Sequence, residues 1–472
     1  MPLQKALMMT DIDPAFSTAH DLADAIQAGR LSPVTLMEAL LDRISRHDEK
    51  LHSFVTVYGK DALQAAEAAE KAIRSGHAVG PLHGIPVALK DIIDLEGRVT
   101  TGGSFALKDR VSTVTATLAK KLIAAGMIVI GKTHSVEFAM GGWGTNQHMG
   151  TPWNPWDLET HRAPGGSSAG TGVAIGAGLA PWGLGTDTGG SVRLPAAWCG
   201  LTGLKTTVGR ISCFGVLPLA SSLDTPGPMT RCVEDAALLY NAMQGPDSLD
   251  PLTKGVAFED PLPEMRRGVA GLKLALMPAS EREGVDPEVL AAFDASVEKL
   301  RELGATIEEV SLPLPFAAMG GMTGRIIGAE GYHFVGDLVD DMDLPIDEAV
   351  RPRIWIGKDM TAKTYLGTLK KREFVKREYD LSLAGYDALL TPTTATPAPA
   401  VDSIDQSQTP ALFTRMVNLL DRCALALPNG FTASGLPTSL QIVCDGYDEA
   451  MALRIGWAYE QATDWNSRRP PL

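Results

Sequence analysis

Two short turns in the sequence set hydroxyl groups among glycines: Gly165-Gly166-Ser167-Ser168 and Thr188-Gly189-Gly190-Ser191. A lysine, Lys90, closes a short apolar run upstream of both. A serine hydroxyl is a weak nucleophile until a base takes its proton. A lysine amine can be that base where burial or nearby positive charge lowers its pKa enough to populate the neutral form. The tetrahedral intermediate of acyl transfer also needs donors for its oxyanion. Successive backbone N–H groups in a glycine turn supply them with no side chain in the way. Thr188-Gly189-Gly190-Ser191 has the composition to offer both a nucleophile and such donors.

Plainer explanations compete with each of these residues. Ten glycines lie between Gly165 and Gly190, and Asp187 is the one charge between Pro164 and Val192. A flexible linker would be polar throughout, so the stretch reads as a buried segment. Incidental serines in a Gly-rich strand–helix core would look the same. Lys90 could snorkel to the surface and pair with Asp91 or Asp94. Gly166-Ser167-Ser168-Ala169-Gly170 matches GxSxG with Ser168 as nucleophile, but that elbow follows a strand and needs a later Asp and His. Here Glu159 to Pro164 is polar and loop-like, and His333 is the only histidine that follows. In Gly203-Leu204-Lys205-Thr206 an extra Leu separates Gly from Lys, which spoils a phosphate loop. The GxG pairs near Gly170 and Gly183 lack the dinucleotide spacing. The nine histidines are scattered and no HExxH occurs, so neither a metal nor a cofactor is expected.

The elements around these turns read as alternating helices and strands. Residues 17–49 predict two helices, with Thr18 capping the first, Gly29 ending it and Ser32-Pro33 starting the second. Asp61 to Ser75 predicts an Ala-rich exposed helix. Gly84 to Asp94 predicts a buried strand with Lys90 at its end. Thr115 to Ala125 predicts a helix and Met127 to Gly131 a strand. Glu137 to Gly150 reads as a loop, and Leu201 to Arg231 as loop-rich. A helix is predicted over Glu234 to Met243, a strand over Leu272 to Met277, a helix over Pro287 to Leu303 and a strand over Ala305 to Leu312. Residues 313–375 read as irregular, and Met319, Met322, Met342 and Met360 with neighbouring glycines suit a substrate-facing wall. Tyr386 to Pro392 predicts a strand, Thr414 to Leu427 a helical stretch, Asn429-Gly430 a turn, Thr438 to Val443 a strand and Glu449 to Gln461 a final helix. Strand–helix–strand units of this kind imply an α/β layered fold.

Composition narrows the class. With 472 residues, 45% hydrophobic and 21% charged, the chain is an ordinary globular protein able to bury a large core. A formal net charge of −14 and the lack of a basic run argue against a nucleic-acid partner. The five cysteines are odd in number and irregular in spacing, with no CxxC, which points to a reduced, cytoplasmic setting. Residues 1–16 lack the apolar core of a leader. No apolar stretch of about 18 uncharged residues reads as a membrane span; Ala169 to Leu184 comes closest, and its glycines and Pro181 speak against it.

The combination of Lys90, Gly165-Gly166-Ser167-Ser168 and Asp187-Thr188-Gly189-Gly190-Ser191-Val192-Arg193-Leu194-Pro195 resembles the amidase signature family. Gly84 to Lys90, Gly131-Lys132-Thr133, Glu137 to Gly141, Asn154-Pro155, Gly203 to Thr206, Asp224 to Gly227, Asp387 to Pro392 and Gly435 to Ile442 fit it too. The resemblance covers nearly the whole chain. It implies a single domain over 1–472, with a helical segment at 1–75 and a signature core at 80–240. It implies a central mixed β-sheet covered by helices on both faces. It also implies a Ser–cis-Ser–Lys triad: Ser191 attacks, Ser167 bridges after a cis peptide, and Lys90 is the base. The main-chain N–H groups of Thr188, Gly189, Gly190 and Ser191 become the oxyanion hole. Asp187 and Arg193 become braces of the turn. Two departures stand out, Ala169 where Gly is common and His134 where Asn is common.

The resemblance implies an amidase that forms an acyl-enzyme from C–N bonds. Met140, Gly141, Gly142 and Trp143 are the expected pocket wall, and their character favours apolar amides, anilides or carbamates. Esterase side activity is a further expectation, and the chain is similar to aryl-acylamidases and urethanases within the family. A monomer or homodimer acting on a small molecule, with no membrane partner, is the expected state. Two alternatives stand beside it. One is the glutamine-hydrolysing component of an amidotransferase, its A subunit. The other, from a different class, is a catalytically silent scaffold.

Overall fold

The computed structural model describes residues 12–472. The stretch from Met1 to Asp11, part of the segment read as lacking a leader core, lies outside the described residues. Eleven strands form one mixed sheet. In chain order they are β1 (Phe54–Val57), β2 (Pro86–Lys90), β3 (Ile128–Thr133), β4 (Trp182–Asp187), β5 (Thr202–Lys205), β6 (Thr225–Thr230), β7 (Lys273–Leu276), β8 (Thr306–Glu309), β9 (Ala388–Pro392), β10 (Cys423–Phe431) and β11 (Pro437–Cys444). Across the sheet they run β1-β3-β2-β4-β6-β5-β10-β11-β9-β7-β8.

Every residue of β2, β4, β5, β6, β9 and β11 is buried. Strands buried on both sides require cover on both sheet faces. Helices supply that cover. Ala169–Gly176 packs on β2, β3 and β4, while Pro287–Glu302 and Glu449–Gln461 pack on β10 and β11. β2 is parallel to β4, with Leu89 opposite Leu184. Parallel neighbours place their carboxyl ends at one edge, the usual location of a binding crevice in such sheets. Lys90 ends β2, and Thr186 and Asp187 end β4, so the three share that edge.

The apolar middle between the two serine turns becomes Ala169–Gly176 and β4. Its glycines allow the helix to lie against the backbone. A Cβ on Gly170 would come within 2.2 Å of the Ser53 carbonyl oxygen and 2.3 Å of the His134 nitrogen. The last strand pair is partly hidden in the sequence. Helix covers only Arg415–Leu419 of the expected 414–427, and Asn429 and Gly430 lie inside β10 rather than in a turn. A short apolar run such as 423–427 has no periodicity to separate helix from strand. Likewise β5 and β6 lie within the stretch read as loop-rich.

Residues 313–375 are not irregular. They hold the helices Phe316–Asp340 and Arg351–Trp355 and most of Ala362–Ser382. Glycine lowers helix propensity by about 1 kcal/mol against alanine, which masks Phe316–Asp340 in the sequence. Packing recovers the loss. A Cβ on Gly328 would meet Ile356 at 2.9 Å, so its absence lets the next segment approach. Met319 and Met322 belong to the hydrophobic core rather than to a substrate wall. All five cysteines are free, and among the described residues no helix is long and apolar enough to cross a membrane.

Gly170→Ala is expected to destabilise the protein by about 1–3 kcal/mol, the usual cost of overpacking. Denaturant unfolding tests this; an unchanged midpoint would contradict the close helix–backbone contact.

Candidate active site

Lys90 is fully buried at the end of β2. Its Nζ donates to Ser167 Oγ at 2.7 Å and to Thr186 Oγ1 at 2.9 Å. It pairs with neither of the acids suggested by the sequence. Asp91 faces Lys132, with Oδ1 3.4 Å from Nζ, and Asp94 is held by Arg110 at 2.8 Å. Without a carboxylate in contact, burial dominates and lowers the Lys90 pKa to about 7, against the weaker pull of Asp224 and Asp187. The peptide between Gly166 and Ser167 is cis.

The second turn is organised by Asp187. Burial alone would raise its pKa, but the Arg193 guanidinium holds it well below the ordinary carboxylate range. Arg193 grips it with two bonds, Nε to Oδ2 at 2.9 Å and Nη2 to Oδ1 at 2.8 Å. The remaining Arg193 donors reach Gln441 Oε1 at 2.7 Å and Asn418 Oδ1 at 2.8 Å. Asp187 also accepts from Gly190 N at 2.8 Å and Val192 N at 3.2 Å. Gly190 is therefore removed from the expected oxyanion donors, because its N–H is already spent on Asp187. The N–H groups of Thr188, Gly189 and Ser191 make no hydrogen bond among the described residues. Asp224 supports the same turn from the other side. It accepts from the Thr188 hydroxyl and from the nitrogens of Leu219 and Ala220, and burial raises its pKa to about 6.

Ser191 is 8% exposed and opens onto a cavity of about 50 Å³. The residues around that cavity include Met140, Gly141, Gly142, Thr188 and Gly189. Trp143 is not among them, which corrects its expected place in the pocket wall. Its ring stacks on Trp198 with centroids 5.8 Å apart, and its Nε1 donates to the Gln408 carbonyl. The Ser191 hydroxyl makes no hydrogen bond among the described residues, so the structure joins Ser167 to Lys90 but leaves Ser191 facing the cavity. Ser168 faces inward instead, with Oγ 3.3 Å from Thr186 N. Lys205 of the spoiled phosphate motif is buried and donates to the carbonyls of Thr206 and Arg422. His134 is buried against His52, and burial pushes its pKa down to about 3, so it is neutral.

Several residues at the site carry no signal in the sequence. Thr186 reads as an ordinary strand residue, although its place beside Asp187 could have flagged it. Arg353 and Arg415 line the same cavity as Ser191. They come from distant segments, and a lone arginine has no motif. Among the described residues Arg353 bonds only neutral acceptors, the Met140 and Gln406 carbonyls and Gln406 Oε1. Arg415 reaches the Gly320 carbonyl at 3.5 Å. Burial, and then the charge of Arg353, lowers the Arg415 pKa to about 10, so it stays cationic at neutral pH. Among the described residues the one group of potential metal ligands is His20, Cys232 and Asp235. Asp235 there is filled by Ala19 N, His20 N and His20 Nδ1, and acts as a helix cap.

The edge of the mixed sheet thus gathers a buried lysine, a serine after a cis peptide and a Gly-Gly-Ser turn. A protein-family model described as Amidase matches residues 35–453, and the chain belongs to the amidase signature family. The A subunit of the glutamyl-tRNA(Gln) amidotransferase of Geobacter metallireducens is 37% identical over 485 residues, covering 96% of this chain and 98% of that one. A solved structure from a vestigial protein complex, described as revealing the evolutionary origins of an s-triazine catabolic enzyme, is 30% identical. Its TM-score is 0.88, and the match covers 94% of this chain and 98% of that one. The peptide amidase of Stenotrophomonas maltophilia is 29% identical with a TM-score of 0.86, covering 97% of this chain and 98% of that one.

Asp187→Ala would strand the Arg193 charge in a fully buried setting. Breaking such a pair costs about 3–5 kcal/mol. Chemical denaturation should register that loss, and a change under about 1 kcal/mol would mean that Arg193 finds other partners.

Proposed function

We propose that the protein hydrolyses a carboxylate-bearing amide through an acyl-enzyme on Ser191. Neutral Lys90 takes the Ser167 proton as Ser167 takes that of Ser191, and the Ser191 oxygen attacks the amide carbon. The N–H groups of Thr188, Gly189 and Ser191 stabilise the oxyanion. The proton returns through Ser167 to the departing nitrogen, and water then cleaves the ester. The 2.7 Å bond from Lys90 to Ser167 and the lowered Lys90 pKa support this path.

The observation that carries the choice of substrate is the pair Arg353 and Arg415 in the Ser191 cavity, with no acidic residue lining it among the described residues. Both guanidinium groups are half-buried and neither forms an ion pair among the described residues, though Asp347 lies near enough to Arg353 to raise its pKa against burial, so a substrate carboxylate would gain charge-assisted hydrogen bonds from both. This departs from the apolar acyl group expected from Met140, Gly141, Gly142 and Trp143. A second reading is favoured by the similarity to the amidotransferase relative: the amide is glutamine and the chain works with partner proteins. Glutamine adds an ammonium, for which this cavity holds no acid. Hydrolysis assays of the purified chain with glutamine and with an ammonium-free monoamide separate the readings. Glutaminase activity that emerges only with partner proteins favours the second. Turnover of any amide by the purified chain excludes a silent scaffold.

Ser191→Ala is expected to abolish activity and labelling by a fluorophosphonate, whereas Ser168→Ala keeps substantial activity. Mass spectrometry that finds the label on Ser168 would overturn the assignment. Arg415→Met is expected to raise KM about tenfold or more for an acidic amide, but not for its methyl ester, because the lost contact is a charged hydrogen bond worth about 1.5–3 kcal/mol. Protonated Lys90 cannot accept a proton, so kcat/KM should climb as pH rises towards about 7 and level off above it. A flat profile across that range, with chemistry rate-limiting, would remove Lys90 as the base.

A further inference from the structure

A second cavity of about 690 Å³ adjoins the first and shares Ala139, Thr188 and Leu219 with it. The two differ in what they present to a bound amide. Gly189 and Ser191, with their free N–H groups, open to the small one. Thr186, the hydroxyl partner of Lys90, opens to the large one. Ser167, which passes the proton, lines neither cavity, but Thr186 shares the Lys90 amine with it and lines the large one, while Arg353 and Arg415 line the small one; this sets the departing nitrogen towards the large cavity and the acidic acyl group towards the small one.

Departing ammonia is about the size of a water molecule, which occupies roughly 30 Å³ in the liquid. Cavities of roughly 300–1,000 Å³ enclose whole organic ligands. The walls here include Ile92, Phe214, Val216 and Leu217, and among the described residues no Lys or Arg lines them. The mouth carries Leu249 and Leu252, which are 53% and 48% exposed. The acids present are Asp224, Asp250 and Glu330. They are occupied: Asp250 accepts from Cys213 N at 2.7 Å and Leu252 N at 3.1 Å, and Glu330 from Ser222 N at 3.0 Å and the Tyr365 hydroxyl at 2.8 Å. Their oxygens are therefore committed to protein donors rather than open as acceptors for a ligand. The small cavity is lined by two arginines, and the large one by apolar walls and three acids.

We infer that the large cavity is a leaving-group subsite for an organic amine, apolar and either neutral or cationic, so that the substrate is an N-substituted amide of an acidic acyl group. The inference rests on the acyl-side reading proposed above. In the reaction the Ser191 Oγ–carbon bond forms and the C–N bond breaks, its electron pair staying on nitrogen. That nitrogen takes the Lys90 proton through Ser167. Water then releases the acid from Ser191.

The test uses the purified full chain and four amides: N-benzylsuccinamic acid, succinamic acid, N-succinylglycine and N-benzylbutanamide. The N-benzyl succinyl compound is expected to exceed succinamic acid and N-succinylglycine in kcat/KM by about tenfold or more. Succinamic acid turned over as well or better would overturn the leaving-group subsite and leave the acyl-side reading intact. N-benzylbutanamide matching the succinyl compound would overturn the acyl-side reading instead. No turnover of any of the four by a protein that still takes the fluorophosphonate label would overturn both. Leu252→Trp at the mouth is expected to lower the N-benzyl to primary-amide selectivity about tenfold; an unchanged ratio would count against the subsite.

Discussion

The site depends on an amine that has been denied a counter-ion. Lys90 sits where two parallel strands end, touching only the hydroxyls of Ser167 and Thr186. The two carboxylates nearest in sequence are committed elsewhere, Asp91 to Lys132 and Asp94 to Arg110. Had either carboxylate reached Lys90, the ammonium would be stabilised and useless as a base near neutral pH. The fold gives up on the order of 5 kcal/mol to hold the pKa near 7, taking about 1.4 kcal/mol per unit. That loss is tolerable because the surrounding strands are buried along their whole length and exclude water from the amine.

The opposite solution is used one strand away. Asp187 is equally buried but fully partnered by Arg193, Asn418 and two backbone N–H groups. Its charge is fixed, and the turn that follows takes its shape from the bonds it accepts. Gly190 is drawn to the carboxylate, and the N–H groups on either side are left free. A charged centre that cannot titrate near neutral pH thus sets the geometry beside one that can.

Much of this was legible from residue types. The chemistry of serine activation singles out Lys90 and Ser191 and the resemblance adds Ser167, of which the structure joins Lys90 and Ser167 by a hydrogen bond; Asp187 and Arg193, expected as braces, do hold the turn. Those residues lie in local motifs, where spacing along the chain translates directly into proximity. The strands β2, β3, β9 and β11 were visible as apolar runs near turn signals. What escaped was set by long-range packing. The helix Phe316–Asp340 is rich in glycine, so its propensity is poor, and only the fit against Arg351–Trp355 and its neighbours explains it. Arg353 and Arg415 reach the cavity from separate segments, and nothing in either neighbourhood marks them. Trp143 was misplaced for the same reason: the sequence shows that it is near glycines, not that Trp198 is waiting for its ring.

The helix Phe316–Asp340 sends Ile327 to one cavity and Glu330, one turn further on, to the other. The residues proposed to move the proton, in contrast, all sit on or beside the sheet. Machinery and selectivity thus occupy different layers of the molecule. If the reaction runs as proposed, replacing Ile327 or Glu330 would re-tune acyl group or amine separately while the reactive edge stays as it is. Such modularity gives a single bond-breaking apparatus a broad range of accessible specificities, each a few side chains from the next.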